Sequence, residues 1–81
     1  MNFTEVRFPG FDAAGERGSI RWALFQHHAV VYVQLTARAD TLQIRHRGPA
    51  DVEGWTATIT DAGLPAPQVV ARPAALHGAS A

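Results

Sequence analysis

The stretch DVEGWTATITDA, residues 51–62, decides the fold class, because its pattern fits either a helix or a strand. As a helix it places Val52, Trp55 and Ile59 on one face. As a strand its apolar residues alternate with threonines, which favour extended backbone. The boundaries favour the helix, since Asp51 is a good N-cap residue and a glycine follows the last residue.

The residues before this stretch predict an antiparallel sheet, because they are rich in β-branched and aromatic residues and are interrupted by turn residues. Only His27 and His28 separate the two central strands, which predicts a tight hairpin turn. The sequence also allows a short edge strand within residues 67–72. The predicted strands are Phe3–Phe8, Ser19–Gln26, Ala29–Thr36 and Thr41–Arg47.

These segments together predict an α+β fold, a four-stranded antiparallel sheet followed by one helix and a short C-terminal edge strand. The strand interpretation of residues 51–62 predicts an all-β small barrel instead. A chain of 81 residues suffices for one domain, which we assign to residues 1–72. The alanine-rich residues 73–81 are expected to form a flexible C-terminal tail.

The composition excludes several classes of function. The chain has no cysteine, so disulfides, thiolate metal sites and cysteine nucleophiles are excluded. Its formal net charge is zero, which gives no electrostatic footprint for nucleic acid or anionic lipid and favours association. No apolar run is long enough for a membrane span. We therefore expect a cytoplasmic protein.

Alternation along the two central strands predicts apolar side chains on both faces of the sheet. One face is expected to pack against the helix. The other face is expected to carry Arg21, Phe25, Val30, Tyr32 and Gln34. One helix covers one side of a sheet, so we expect this second face to bind a protein partner or a second copy of the chain.

Two alternatives would bury that face within the chain itself. Either the loop at residues 11–18 or the C-terminal tail folds over it, or the sheet closes into a barrel. Both tryptophans, Trp22 and Trp55, are predicted as core residues because a large indole ring gains most from burial. Either one is instead an interface residue if the second face binds a partner.

A nucleic-acid-binding module is one alternative function. It would use Arg21, Phe25, Tyr32, Arg45 and Arg47, because aromatic rings stack on bases and arginines hold phosphates. The zero net charge makes this partner the less favoured one.

A small metal-binding or enzymatic protein is the other alternative, with His27 and His28 as its candidate residues. Adjacent residues of a strand point to opposite faces, so this pair cannot chelate one ion from a strand. No cofactor, metal site or catalytic residue is predicted, and the favoured expectation is a non-enzymatic protein-interaction domain.

The predicted order of a sheet at residues 19–47 followed by a helix at residues 51–63 resembles several very small phage-encoded inhibitors of bacterial defence, including some anti-CRISPR proteins. This resemblance implies an inhibitor or accessory protein of phage or mobile-element type. It extends to the architecture alone, and fold does not determine function.

Overall fold

The computed structural model describes residues 1–70, which form a small α+β fold with a four-stranded antiparallel open sheet and two helices. The expected tail at residues 73–81 lies outside the described residues. The strands are β1 (Asn2–Arg7), β2 (Val30–Leu35), β3 (Thr41–His46) and β4 (Gln68–Val69), and the helices are α1 (Arg17–Leu24) and α2 (Val52–Asp61).

The elements follow one another as β1, α1, β2, β3, α2 and β4, whereas the order across the sheet is β2-β3-β1-β4. Each neighbouring pair of strands is antiparallel. Strands β1 and β2 are therefore parallel to each other, with β3 between them and α1 connecting them. This is the split β-α-β arrangement of ferredoxin-like folds. It leaves β2 and β4 as the edge strands.

The prediction of a strand at residues 19–26 is wrong, because residues 17–24 form α1. The apolar residues Ile20, Ala23 and Leu24 lie at helical spacing and are buried, which fixes the helix against the core. The hairpin turn predicted at His27 and His28 is wrong as a consequence. These two residues lie in the connection from α1 to β2.

The helix favoured for residues 51–62 is confirmed as α2, and the barrel alternative is wrong because the sheet is open. The carboxylate of Asp51 accepts a hydrogen bond of 3.1 Å from the backbone N–H of Gly54, as an N-cap residue does. The threonine hydroxyls that favoured a strand instead donate to backbone carbonyls about one turn earlier, as Thr60 does to Thr56.

One core fills the space between the sheet and both helices. It includes Trp55 as predicted, whereas the prediction that Trp22 is a core residue is wrong. The buried apolar residues are Val6, Phe8, Ala13, Ile20, Ala23, Leu24, Val33, Leu42, Ile44, Trp55 and Ile59.

His46 is a buried polar residue of this core, on the same face of β3 as Leu42 and Ile44. Its Nδ1 lies 3.1 Å from the carbonyl oxygen of Gly48, which only accepts, so Nδ1 donates. Its Nε2 lies 2.8 Å from the hydroxyl of Thr4, and its ring meets Trp55 edge-on at 5.1 Å. Both ring nitrogens are satisfied, so His46 is a structural residue.

An irregularity in β2 changes which of its side chains share a face. Val30 pairs with His46, but Tyr32 pairs with the adjacent residue Arg45, so Val31 is an extra residue on this strand. The prediction that Val30, Tyr32 and Gln34 share one face is therefore wrong for Val30. Val30 packs partly against the core, while Tyr32 and Gln34 lie on the opposite face of the sheet.

The arrangement on which the resemblance to small phage inhibitors depended is not present. That resemblance requires a sheet at residues 19–47 followed by a helix, whereas a helix lies between β1 and β2. In the described part of the chain, neither helix is long and apolar enough to cross a membrane.

Candidate functional site

Two aromatic side chains stand exposed on the outer side of α1. Trp22 is 75% exposed and Phe25 is 70% exposed. They lie three residues apart on the helical path, which brings their rings together. The rings stack with their centroids 5.7 Å apart and their planes 4° from parallel. The pair forms a stacked aromatic platform that does not contribute to the core.

A cleft of about 130 Å³ lies beside this platform, between the end of α1 and strand β2. Small-molecule sites usually enclose ~300–1,000 Å³, so the cleft is too small for a typical substrate. A cavity of ~150 Å³ holds a benzene-sized group, so the cleft fits one side chain. Its lining residues are Arg21, Leu24, Phe25, His27, His28, Val30, Val31, Tyr32 and Val33.

We call the exposed part of this region the α1–β2 surface and define it as Arg21, Trp22, Phe25, Val31 and Tyr32. All five side chains are exposed. Four of them line the cleft, and the fifth, Trp22, stacks on the ring of Phe25. Contiguous exposed apolar side chains of this kind mark interaction sites more often than single ones do.

Arg17 joins α1 to the free edge of β2. Its Nη1 donates to the carbonyl of Val33 at 2.9 Å and to the hydroxyl of Tyr32 at 3.3 Å. Its guanidinium carbon lies 5.7 Å from the centre of the Tyr32 ring. Arg17 therefore holds the Tyr32 ring in place at the margin of the surface and covers one carbonyl of the edge strand.

Arg21 is the charged residue that lines the cleft. Arg21, His27 and His28 line it, and no carboxylate does. Within residues 1–70 the two ion pairs join Asp40 to Arg7 and Arg38, so Arg21 has no carboxylate partner there. The guanidinium of Arg21 is therefore available to an external group.

The structure brings Arg21, Phe25, Val30 and Tyr32 together in the cleft. The prediction that they share one face of the sheet is wrong, because Arg21 lies on α1 and Phe25 lies at its end. Gln34 lies elsewhere, on the open face of the sheet, where it pairs with Gln43 of β3.

Sequence reasoning missed the exposure of Trp22. The signal that identifies it is the helical spacing of Ile20, Ala23 and Leu24, which places Trp22 on the opposite side of the helix. Reading residues 19–26 as a strand instead grouped Trp22 with Ile20 and Leu24.

The open face of the sheet carries a row of alternating aromatic and basic side chains. Arg45 of β3 pairs across the strands with Phe3 on one side and Tyr32 on the other. Its guanidinium carbon lies 5.7 Å from the centre of the Phe3 ring. Its Nε is buried without a hydrogen-bond partner. Of the residues predicted for nucleic acid, only Tyr32 and Arg45 lie in this row.

The residues proposed for a metal do not form a ligand set. Nε2 of His27 hydrogen-bonds to the hydroxyl of Thr58 at 3.1 Å and so ties the α1–β2 connection to α2. His28 is exposed. Among residues 1–70 no three His, Asp or Glu side chains are grouped as metal ligands would be.

Asp40, in the turn between β2 and β3, is the most strongly perturbed titratable group. Hydrogen bonds from Arg38, Arg7 and Thr41 hold the pKa of Asp40 well below its usual range. It borders a shallow depression of about 410 Å³ beside the loop that leads to α1. The three residues that donate to its carboxylate lie in this turn or at the ends of β1 and β3, so these hydrogen bonds stabilise the turn.

No known protein family, curated protein or solved structure matches this chain.

Proposed function

We propose that this chain is a non-enzymatic protein-interaction domain that binds a protein partner through the α1–β2 surface. The observation that supports this most is the stacked pair of Trp22 and Phe25, which are 75% and 70% exposed beside a cleft. Tryptophan, tyrosine and arginine are the residue types that contribute most binding energy at protein interfaces. All three are present on this surface.

The preformed geometry of the surface supports the same proposal. Stacking holds Trp22 and Phe25 against each other, and Arg17 holds the Tyr32 ring through two contacts. Contacts that already restrain these side chains reduce the side-chain entropy that binding costs. The cleft between them offers a pocket for one anchoring side chain of the partner.

The test compares the wild-type chain with the double variant Trp22→Ser/Phe25→Ser in two assays. One is selection from a phage-displayed library of random peptides, and the other is sedimentation velocity at micromolar concentrations. We expect the wild type to enrich peptides or to self-associate, and the double variant to do neither while it keeps its far-UV circular dichroism spectrum.

The matched control is Val69→Ser, which removes an exposed apolar side chain from the opposite edge of the sheet. This control should behave like the wild type in both assays. The proposal is wrong if the wild type shows neither activity, or if the double variant retains what the wild type does.

A single-stranded nucleic acid is the second candidate partner, and the row of Phe3, Arg45 and Tyr32 on the open sheet face favours it. Aromatic rings on a sheet stack on bases, and an arginine among them contacts phosphate. The zero net charge of the chain makes it secondary. Fluorescence anisotropy of a labelled oligonucleotide tests it, with salt-dependent binding that Arg45→Gln weakens as the expected result. Absence of binding at low salt would rule this candidate out.

A further inference from the structure

We infer that the α1–β2 surface binds an acidic peptide segment of another protein, with one apolar side chain in the cleft and a carboxylate on Arg21. This inference rests on the proposed function and names the class of partner. Its first support is charge complementarity. The cleft is lined by Arg21, His27 and His28 and by no carboxylate.

Arg21 is the residue that selects the charge of the partner. It follows the buried Ile20 on α1 and reaches the same cleft as Phe25, four residues later. It makes no hydrogen bond or ion pair within residues 1–70, in contrast to Arg17, which binds Tyr32 and Val33. A carboxylate placed here gains a charge-assisted hydrogen bond without displacing an existing one.

The same charge pattern disfavours a second copy as the occupant. A two-fold dimer buries the same patch from both chains. Two such surfaces would bring two unpaired Arg21 side chains towards one another, with no carboxylate of the cleft between them. Like charges set against each other at an interface are unfavourable and select against that partner.

The edge of β2 also disfavours a partner that extends the sheet. Strand addition needs free backbone groups along a regular edge. Here Arg17 already donates to the carbonyl of Val33, and the extra residue Val31 interrupts the regular pairing of the strand. The partner segment therefore binds through side chains, over the Trp22 and Phe25 rings and into the cleft.

The experiment sequences the peptides that the wild-type chain selects from the phage-displayed random library and measures their affinity as synthetic peptides. We expect each selected peptide to combine an aromatic or large aliphatic residue with a nearby aspartate or glutamate. The charge-reversing variant Arg21→Glu should bind the best acidic peptide about tenfold more weakly or worse.

The matched control is Arg47→Glu, which makes the same change of charge at an exposed arginine beyond the end of β3. Because Arg47 does not line the cleft and exposed charges are screened by salt, this control should weaken binding of the best acidic peptide less than Arg21→Glu does. A peptide in which every acid is replaced by its amide should also bind about tenfold more weakly to the wild type.

Each outcome supports or overturns the inference. Acidic peptides that depend on Arg21 support it. Enriched peptides without acidic residues, or acidic peptides that bind Arg21→Glu as well as the wild type, overturn the inference and leave the proposed function standing. Self-association without peptide enrichment identifies a second copy as the partner and also overturns it. If the wild type neither enriches peptides nor self-associates, the proposed function itself is wrong.

Discussion

The two helices pack on the same face of the sheet, and each carries one tryptophan, but they use it in opposite ways. In α2 Trp55 is 2% exposed and packs against the ring of His46. In α1 Trp22 is 75% exposed and stacks only on another exposed ring. The sequence of α2 is thus explained by folding, whereas the outer face of α1 is not. This difference is the reason why we propose α1 as the functional helix.

The ends of the helices show the same contrast. Helix α2 starts at a side-chain cap, where Asp51 accepts from the backbone of Gly54. Helix α1 has no side-chain cap, and Glu16 at its N-cap position instead accepts from Ser19. The position of α1 therefore depends on its buried residues, on Arg17 and on the loop before it.

The largest expected difference between the helices is in the cost of removing their tryptophans. Trp55→Ala should lower the free energy of unfolding by about 3–5 kcal/mol, because it opens a cavity in the core. Trp22→Ala should change it by less than about 0.5 kcal/mol, because the side chain is exposed and alanine favours helix. Urea unfolding followed by circular dichroism measures both.

If Trp55→Ala does not fold, Trp55→Phe provides a milder comparison, which should still be less stable than Trp22→Phe. Equal losses of stability at the two positions would contradict the contrast between the helices.

His46 supports the buried side of the comparison, because it lies under Trp55 and bonds to Thr4 and Gly48. His46→Ala should cost about 2–3 kcal/mol, since it leaves a cavity and strands the hydroxyl of Thr4. The exposed His28 is the control, and His28→Ala should be nearly neutral. Chemical denaturation at neutral pH checks both. A neutral effect of His46→Ala would show that this buried network does not stabilise the fold.

The sequence predicts the α2 half of the molecule better than the α1 half, and the reasons are local. Asp51 and the glycine after residue 62 mark the ends of α2, and the predicted strand at Thr41–Arg47 contains β3. For residues 19–26 the sequence contains both a strand pattern and a helix pattern. The helix is selected by its contacts with β2 and α2. These contacts are not encoded in the local sequence pattern.

The residues of the candidate site could be predicted only in part, because the sequence does not show that residues 19–26 are helical. Tyr32, Phe25 and Arg21 were singled out as apolar and basic residues with no cover, and the structure brings them to one cleft. The extra residue Val31 could not be foreseen, since nothing in the valine-rich run of β2 marks it. The exposure of Trp22 was not predicted, because both tryptophans were expected to be buried in the core.

The caps offer a smaller test of the comparison. Asp51→Ala should destabilise the protein by about 1 kcal/mol, because the N–H of Gly54 loses its partner. Glu16→Ala, at the equivalent position of α1, should cost only a few tenths of that, since Glu16 caps no backbone group. Thermal unfolding of both variants gives the order. The reverse order would contradict the assignment of Asp51 as the cap.

The smallest expected effect concerns acid. The carboxylate of Asp40 is partly buried and accepts hydrogen bonds from Arg38, Arg7 and Thr41, which lower its pKa. A carboxyl group whose pKa is lowered by folding stabilises the fold fully at a pH above its unfolded-state pKa, which is about 4. This stabilisation is lost as the pH falls below that value. The wild type should therefore lose stability below about pH 4 more steeply than Asp40→Asn does.

This turn also contacts the loop before α1, because the carbonyl of Ala39 accepts from the backbone N–H of Ala14 at 2.8 Å. Asp61→Asn, which removes an exposed carboxylate at the end of α2, is the control and should keep the acid dependence of the wild type. If Asp40→Asn keeps it too, the turn does not contribute to acid sensitivity.

The most direct test of the account is a nuclear magnetic resonance titration of the isotope-labelled chain with the tightest peptide selected from the random library. We predict that the largest backbone shift changes fall on residues 21–25 and 30–33, which form and border the α1–β2 surface, and disappear in Trp22→Ser/Phe25→Ser. Shift changes centred on Phe3 and Arg45, on the open face of the sheet, would contradict the assignment of α1 as the functional helix.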